Sequence, residues 1–77
     1  MPRDVFNWTF ADIDKFLKDH SFKIAKSNSS HFFYRGISAG KLCIVCVPFH
    51  GGNKTIKPKT LKGIISQSGI SKEEWVA

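Results

Sequence analysis

The sequence predicts an α+β fold in which two helices cover one face of a three-stranded antiparallel sheet. Two observations carry this. Apolar residues recur at helical spacing near both ends of the chain, and three aromatic or β-branched runs separated by short turns fill its middle. The predicted order is α-β-β-β-α, with a short helical turn at the C-terminus.

Each element has its own signal. Thr9-Phe10-Ala11-Asp12 has the form of a capping box, with Asp12 in the place glutamate usually takes, and Trp8 and Ile13 have the spacing of a hydrophobic staple. Phe10, Ile13, Phe16 and Leu17 then share one helical face, while Asp12, Asp14, Lys15, Lys18 and Asp19 take the other. The first helix therefore runs from about Phe10 to Asp19, and His20 ends it where an imidazole can meet the last carbonyls. Val5, Phe6 and Trp8 are expected to pack against it. Strands are predicted over Phe22 to Ala25, His31 to Ile37 and Leu42 to Phe49. The turns between them, Ser27-Asn28-Ser29-Ser30 and Ser38-Ala39-Gly40-Lys41, are too short for a crossover, so the strands form a meander. His50-Gly51-Gly52-Asn53-Lys54 is a loop, and Pro58 suits the first position of a second helix whose apolar side is Leu61, Ile64 and Ile65. Gly69 followed by Ile70 is a helix stop. Ser71-Lys72-Glu73-Glu74 resembles another capping box, opening the turn that carries Trp75 and Val76.

Composition narrows the class. At 77 residues the chain is read as one domain, 1–77, and a domain of that size buries only ~60% of its unfolded surface. Twelve Lys+Arg against six Asp+Glu give a formal charge of +6, which favours polyanionic partners, nucleic acid first. The longest apolar run, Leu42 to Phe49, is too short to span a bilayer, and the start Met1-Pro2-Arg3-Asp4 is not that of a signal peptide. A cytoplasmic protein is expected. Cys43 and Cys46 are three apart in a strand, on opposite faces, and are expected as free thiols.

Candidate chemistry concentrates in Ser29-Ser30-His31-Phe32-Phe33-Tyr34-Arg35, where an imidazole, two hydroxyls and a guanidinium stand in an aromatic strand. Imidazole, with an unperturbed pKa of ~6.5, can take a proton from a ribose 2′-hydroxyl or give one to a leaving oxygen. A histidine hydrogen-bonded into the sheet is the competing reading. Alternation puts His31, Phe33 and Arg35 on one face and Phe32 and Tyr34 on the other, and either face suits the helices. Lys54, Lys57, Lys59 and Lys62 cluster around the predicted start of the second helix, with no acidic residue between His50 and Ile70. Helix N-termini attract phosphate, so these lysines are expected to form a phosphate clamp rather than only a solvated face. His50 is a turn residue or a second site group. The acidic residues lie outside the basic loop and the sheet, so no metal or other cofactor is expected. The element order is also that of the double-stranded-RNA-binding domain.

The ordered motifs resemble the HicA toxins of bacterial and archaeal toxin–antitoxin modules. They are Ser29-Ser30-His31 with Tyr34-Arg35, Val47-Pro48-Phe49-His50, Lys54-Thr55-Ile56-Lys57-Pro58-Lys59-Thr60-Leu61, and Gly69-Ile70-Ser71. The likeness covers about Thr9 to Val76 and leaves the segment 1–8 outside it. It implies a double-stranded-RNA-binding-like fold, a small metal-independent mRNA endoribonuclease, and an antitoxin of the HicB type that blocks its site. The family's catalytic histidine falls on His31, and its basic loop and helix start fall on Lys54, Lys57 and Lys59. Ser29 and Ser21 stand where the family has glycine. If Ser29 needs a positive φ, the loop that aims His31 is strained. The rival reading is a non-catalytic RNA-binding module using the same lysines. A further one is an interaction protein whose basic face meets an acidic antitoxin.

Overall fold

The computed structural model describes residues 8–49, 51 and 54–76. Val5, Phe6 and His50 lie outside them. Thr9 opens the first helix, α1 (Phe10–Asp19): its hydroxyl oxygen accepts the Asp12 amide at 3.2 Å while Asp12 Oδ2 accepts the Thr9 amide at 3.0 Å. The helix closes with two bonds in the six-to-one and five-to-two pattern, Phe22 N–H to Leu17 O at 2.9 Å and Ser21 N–H to Lys18 O at 3.1 Å. That closure requires a left-handed residue, and it is Ser21, at φ 68°. Phe22 is taken up by this cap, so the first strand starts one residue later than the apolar pattern suggests.

The sheet is β1 (Lys23–Ser27), β2 (His31–Ser38) and β3 (Lys41–Pro48), antiparallel in the order β1-β2-β3. A bulge between Ile24 and Lys26 carries β1 on to Ser27 instead of ending it at Ala25. Ala39 and Gly40, both at positive φ (52° and 76°), make the two-residue turn between β2 and β3. Then come α2 (Pro58–Ser68) and α3 (Lys72–Val76). Gly69 ends α2 at φ 69°. The second capping box does not form: Ser71 offers its backbone carbonyl, not its hydroxyl, to the Glu74 amide.

Burial decides which face the helices cover. Tyr34, Val45 and Val47 are fully buried with Ile13, Leu17 and Leu61, and Phe32, Cys43 and Phe49 pack against the same core. Each fully buried aliphatic side chain here contributes about 1.5–3 kcal/mol. Gly36 lies on this covered face because the Phe22 ring occupies the place of its side chain: a Cβ there would stand 2.6 Å from Phe22 Cγ. Tyr34 crosses the core to donate its hydroxyl to Asp14 Oδ1 at 2.6 Å, and Asp14 also pairs with Lys18 at 3.1 Å. At the C-terminus, Trp75 stacks on Phe16 at 3.9 Å and meets Trp8 at 5.4 Å, so α3 is pinned to α1. The opposite face, with His31, Phe33, Arg35, Ile37, Leu42 and Ile44, has no helix over it among the described residues.

Candidate nucleic-acid interface

His31 is the first residue of β2 and is exposed on the open face. The turn ahead of it is organised by Asn28. Its Oδ1 accepts three donors: the amide of Ser30 at 2.9 Å, the amide of His31 at 2.8 Å and the Ser30 hydroxyl at 3.3 Å. Its own amide donates to His31 O at 2.9 Å. Asparagine suits this role because its short side chain mimics a backbone turn. Ser30 O in turn accepts the Phe49 amide at 2.8 Å, tying the turn to the end of β3.

The same bonds engage one ring nitrogen of the histidine. Two backbone donors identify the Asn28 side-chain atom they share as the oxygen, an acceptor only. Ser30 Oγ lies 3.3 Å from that oxygen and 3.1 Å from His31 Nδ1, so the hydroxyl links the asparagine to the imidazole. Nε2 has no hydrogen-bond partner among the described residues, on a side chain exposed to solvent. Ser29, by contrast, is not among the residues at positive φ. The strain foreseen there falls on Ser21, at the end of α1.

Pro48 joins His31 to the lysines. It is the cross-strand partner of His31 and also lines a groove of about 300 Å³ with Thr55, Ile56, Lys57 and Thr60. This segment is held against the start of α1 by the Ile56 amide bonding Trp8 O at 2.6 Å and by a bridge between Thr9 and Thr55. Lys57 caps α2 without a side-chain bond, and Pro58 has no amide to satisfy. The amides of Lys59 and Thr60 therefore point out of the helix start uncapped, beside exposed Lys54, Lys57, Lys59 and Lys62.

Arg35 shares His31's face but stands four residues along β2, about 13 Å away. It pairs with Lys23 across β1 and with Ile44 across β3. The structure thus brings His31 and the lysine groove together and sets Arg35 apart with Lys23. His20 is structural: its Nδ1 donates to Phe16 O at 2.8 Å and its ring stacks on Phe16 at 4.1 Å. Cys43 and Cys46 are free thiols on opposite faces. Among the described residues no three His, Cys, Asp or Glu side chains gather as a metal site.

A family model described as the HicA toxin of bacterial toxin–antitoxin systems matches residues 10–70. The chain belongs to the HicA toxin family. No curated protein and no solved structure matches it. The family match spans α1 through the close of α2, and with it the His31 turn, the Pro48 groove and the lysines. The chain is accordingly a toxin of the toxin–antitoxin class, on an α+β fold consistent with the double-stranded-RNA-binding layout. No helix among the described residues is long and apolar enough to cross a membrane.

Missed by sequence reasoning were Asn28, Lys23, Lys26 and Phe33. Asparagine three residues before a strand-opening histidine was the available signal for the first. For Phe33 it was its place two residues along the strand from His31; Lys23 and Lys26, three apart, would fall on opposite faces by alternation, and only the bulge in β1 brings both to the face that holds His31.

Proposed function

We propose that this HicA-family chain is an mRNA endoribonuclease in which His31 is the general base. The observation that carries this reading is the Asn28–Ser30–His31 chain of hydrogen bonds, which engages Nδ1 and leaves Nε2 open to solvent on the strand paired with Pro48, whose groove Lys57 lines. His31 Nε2 takes the proton of a ribose 2′-hydroxyl. The 2′-oxygen attacks the adjacent phosphorus, and the bond to the 5′-oxygen breaks. That oxygen leaves with a proton from solvent, giving a 2′,3′-cyclic phosphate and a 5′-hydroxyl. Lys54, Lys57, Lys59 and Lys62, with the uncapped amides of α2, hold the phosphates and offset the charge that builds on them. Arg35 contacts the strand farther from the scissile bond. Metal independence is supported by the donor set: no Asp or Glu lies between Asp19 and Glu73 to place a magnesium ion at the phosphate. A HicB-type antitoxin would act by covering His31 and this cationic surface.

The test is cleavage of a structured mRNA fragment in the presence of chelator by the parent chain and by His31→Ala. The variant should lose about 10²–10⁴-fold in rate while keeping its affinity for RNA. Equal cleavage by both would remove His31 from the mechanism. Binding without cleavage by either would make the chain a non-catalytic RNA-binding module.

A further inference from the structure

The open face of the sheet carries more than the histidine. Phe33 is partly exposed there, its ring centroid 6.5 Å from that of His31 and inclined by 35° to it. Lys26 is its partner across β1 and Cys46 its partner across β3. One step farther along β2, Arg35 lies beside Lys23, and the two line a shallow groove of about 450 Å³ whose apolar walls include Ala25, Ile37 and Leu42. Ile37 and Leu42 are 63% and 54% exposed, which is unusual for large apolar side chains left without a cover. None of the three strands contains an acidic residue.

An aromatic ring flanked by cations, followed by an exposed apolar groove, is what a flexible polyanion with flat bases requires. Bases paired in a duplex cannot lie on this ring, whereas unpaired bases can stack on it. Same-face residues on a strand recur every ~6.6 Å, and His31 to Ile37 spans about 20 Å, a path for roughly three extended nucleotides.

We propose that this open face is a track for single-stranded RNA, in which Phe33 stacks a base, Lys23, Lys26 and Arg35 hold phosphates, and the Ile37–Leu42 groove receives the base farthest from His31. The proposal takes its ligand class from the ribonuclease reading and sharpens it: the substrate is an unpaired segment, delivered along β2 to the imidazole. The lysines at α2 would hold the strand beyond the scissile bond.

The experiment measures anisotropy of a labelled 2′-O-methyl oligouridine of eight nucleotides, which cannot be cleaved, against a hairpin duplex of the same chemistry. The parent should prefer the single strand. Phe33→Ala should weaken that binding roughly 10-fold or more, and Phe33→Tyr should retain it. Thermal melting of Phe33→Ala close to the parent's shows that the loss is not unfolding. Failure of the parent to bind the single strand, or preference for the duplex, overturns the track. So does single-strand binding unchanged in Phe33→Ala, which would leave the face to a protein partner. Cleavage of unmodified RNA by the parent is followed in parallel. Cleavage without Phe33 dependence sinks the track and spares the ribonuclease reading, whereas Phe33-dependent binding without cleavage does the reverse.

Discussion

Asn28 and Ser30 hold His31 in place. In the proposed mechanism Ser30 stays clear of the scissile bond and acts through the imidazole, which it holds at Nδ1. Ser30→Ala removes that bond and frees the ring to rotate. The expected outcome is a kcat lower by about 10- to 100-fold with KM unchanged, and recovery in Ser30→Thr; single-turnover kinetics on one RNA checks both. Ser21 is a different kind of residue, one whose side chain opposes its backbone. Left-handed geometry costs a non-glycine residue about 1–2 kcal/mol, part of which glycine forfeits through its looser unfolded state. Ser21→Gly should therefore raise stability by about 0.5 kcal/mol, read as a higher urea midpoint at unchanged m-value. Both roles were only half-visible in the sequence. The serines and Asn28 are plainly turn residues there, but neither the three bonds converging on Asn28 Oδ1 nor the choice of Ser21 over Ser29 for positive φ is written in residue types.

The helices and strands themselves were legible, because each is marked by a period and by punctuation: Thr9 and Asp12 at the start of α1, Gly69 after α2, and Ala39-Gly40 between strands. Which face of β2 the helices cover was not. Phe32, Phe33 and Tyr34 are three consecutive aromatics, and alternation sorts them into two sets without saying which is inside. Burial of Tyr34 with Val45 and Val47 decides it, and the tyrosine hydroxyl can go inside because Asp14, twenty residues away on α1, accepts its hydrogen bond. Burial foremost, then the bond to Asp14 and its charge, push the Tyr34 hydroxyl well above its ordinary pKa. The folded chain thus keeps a proton that the unfolded chain releases near pH ~10. The contribution is complete below that pH and is lost as the pH rises above it. Tyr34→Phe should cost about 1.5 kcal/mol at neutral pH, with Asp14 still paired to Lys18. It should also flatten the decline in stability above pH ~10 relative to the parent, measured by urea unfolding at a series of pH values.

At the scale of the molecule, acids and most of the cations separate by element. Of the acidic residues in the described segments, Asp12, Asp14 and Asp19 are on α1 and Glu73 and Glu74 on α3, two helices held together by Phe16 and Trp75. The cations of the sheet, the loop and α2 lie in the unbroken stretch between Asp19 and Glu73. RNA affinity should therefore fall linearly with the logarithm of salt concentration, and Lys57→Gln should reduce the slope by about 0.7 for a single strand. A slope unaltered in Lys57→Gln would place the phosphates elsewhere than α2. Composition already announced a polyanion as partner. That the acids of the two chain ends gather together depends on α3 folding back onto α1, a contact that no local pattern encodes.

That separation has a kinetic consequence. Even with Lys15, Lys18 and Lys72 among the acids, α1 and α3 together are net negative while the sheet and α2 are positive, and a body so divided experiences a torque in the field of a nucleic acid before it makes contact. The chain should arrive with α1 and α3 turned away, so that few encounters are spent in wrong orientations. Added salt would then slow its arrival much more than it hastens its departure.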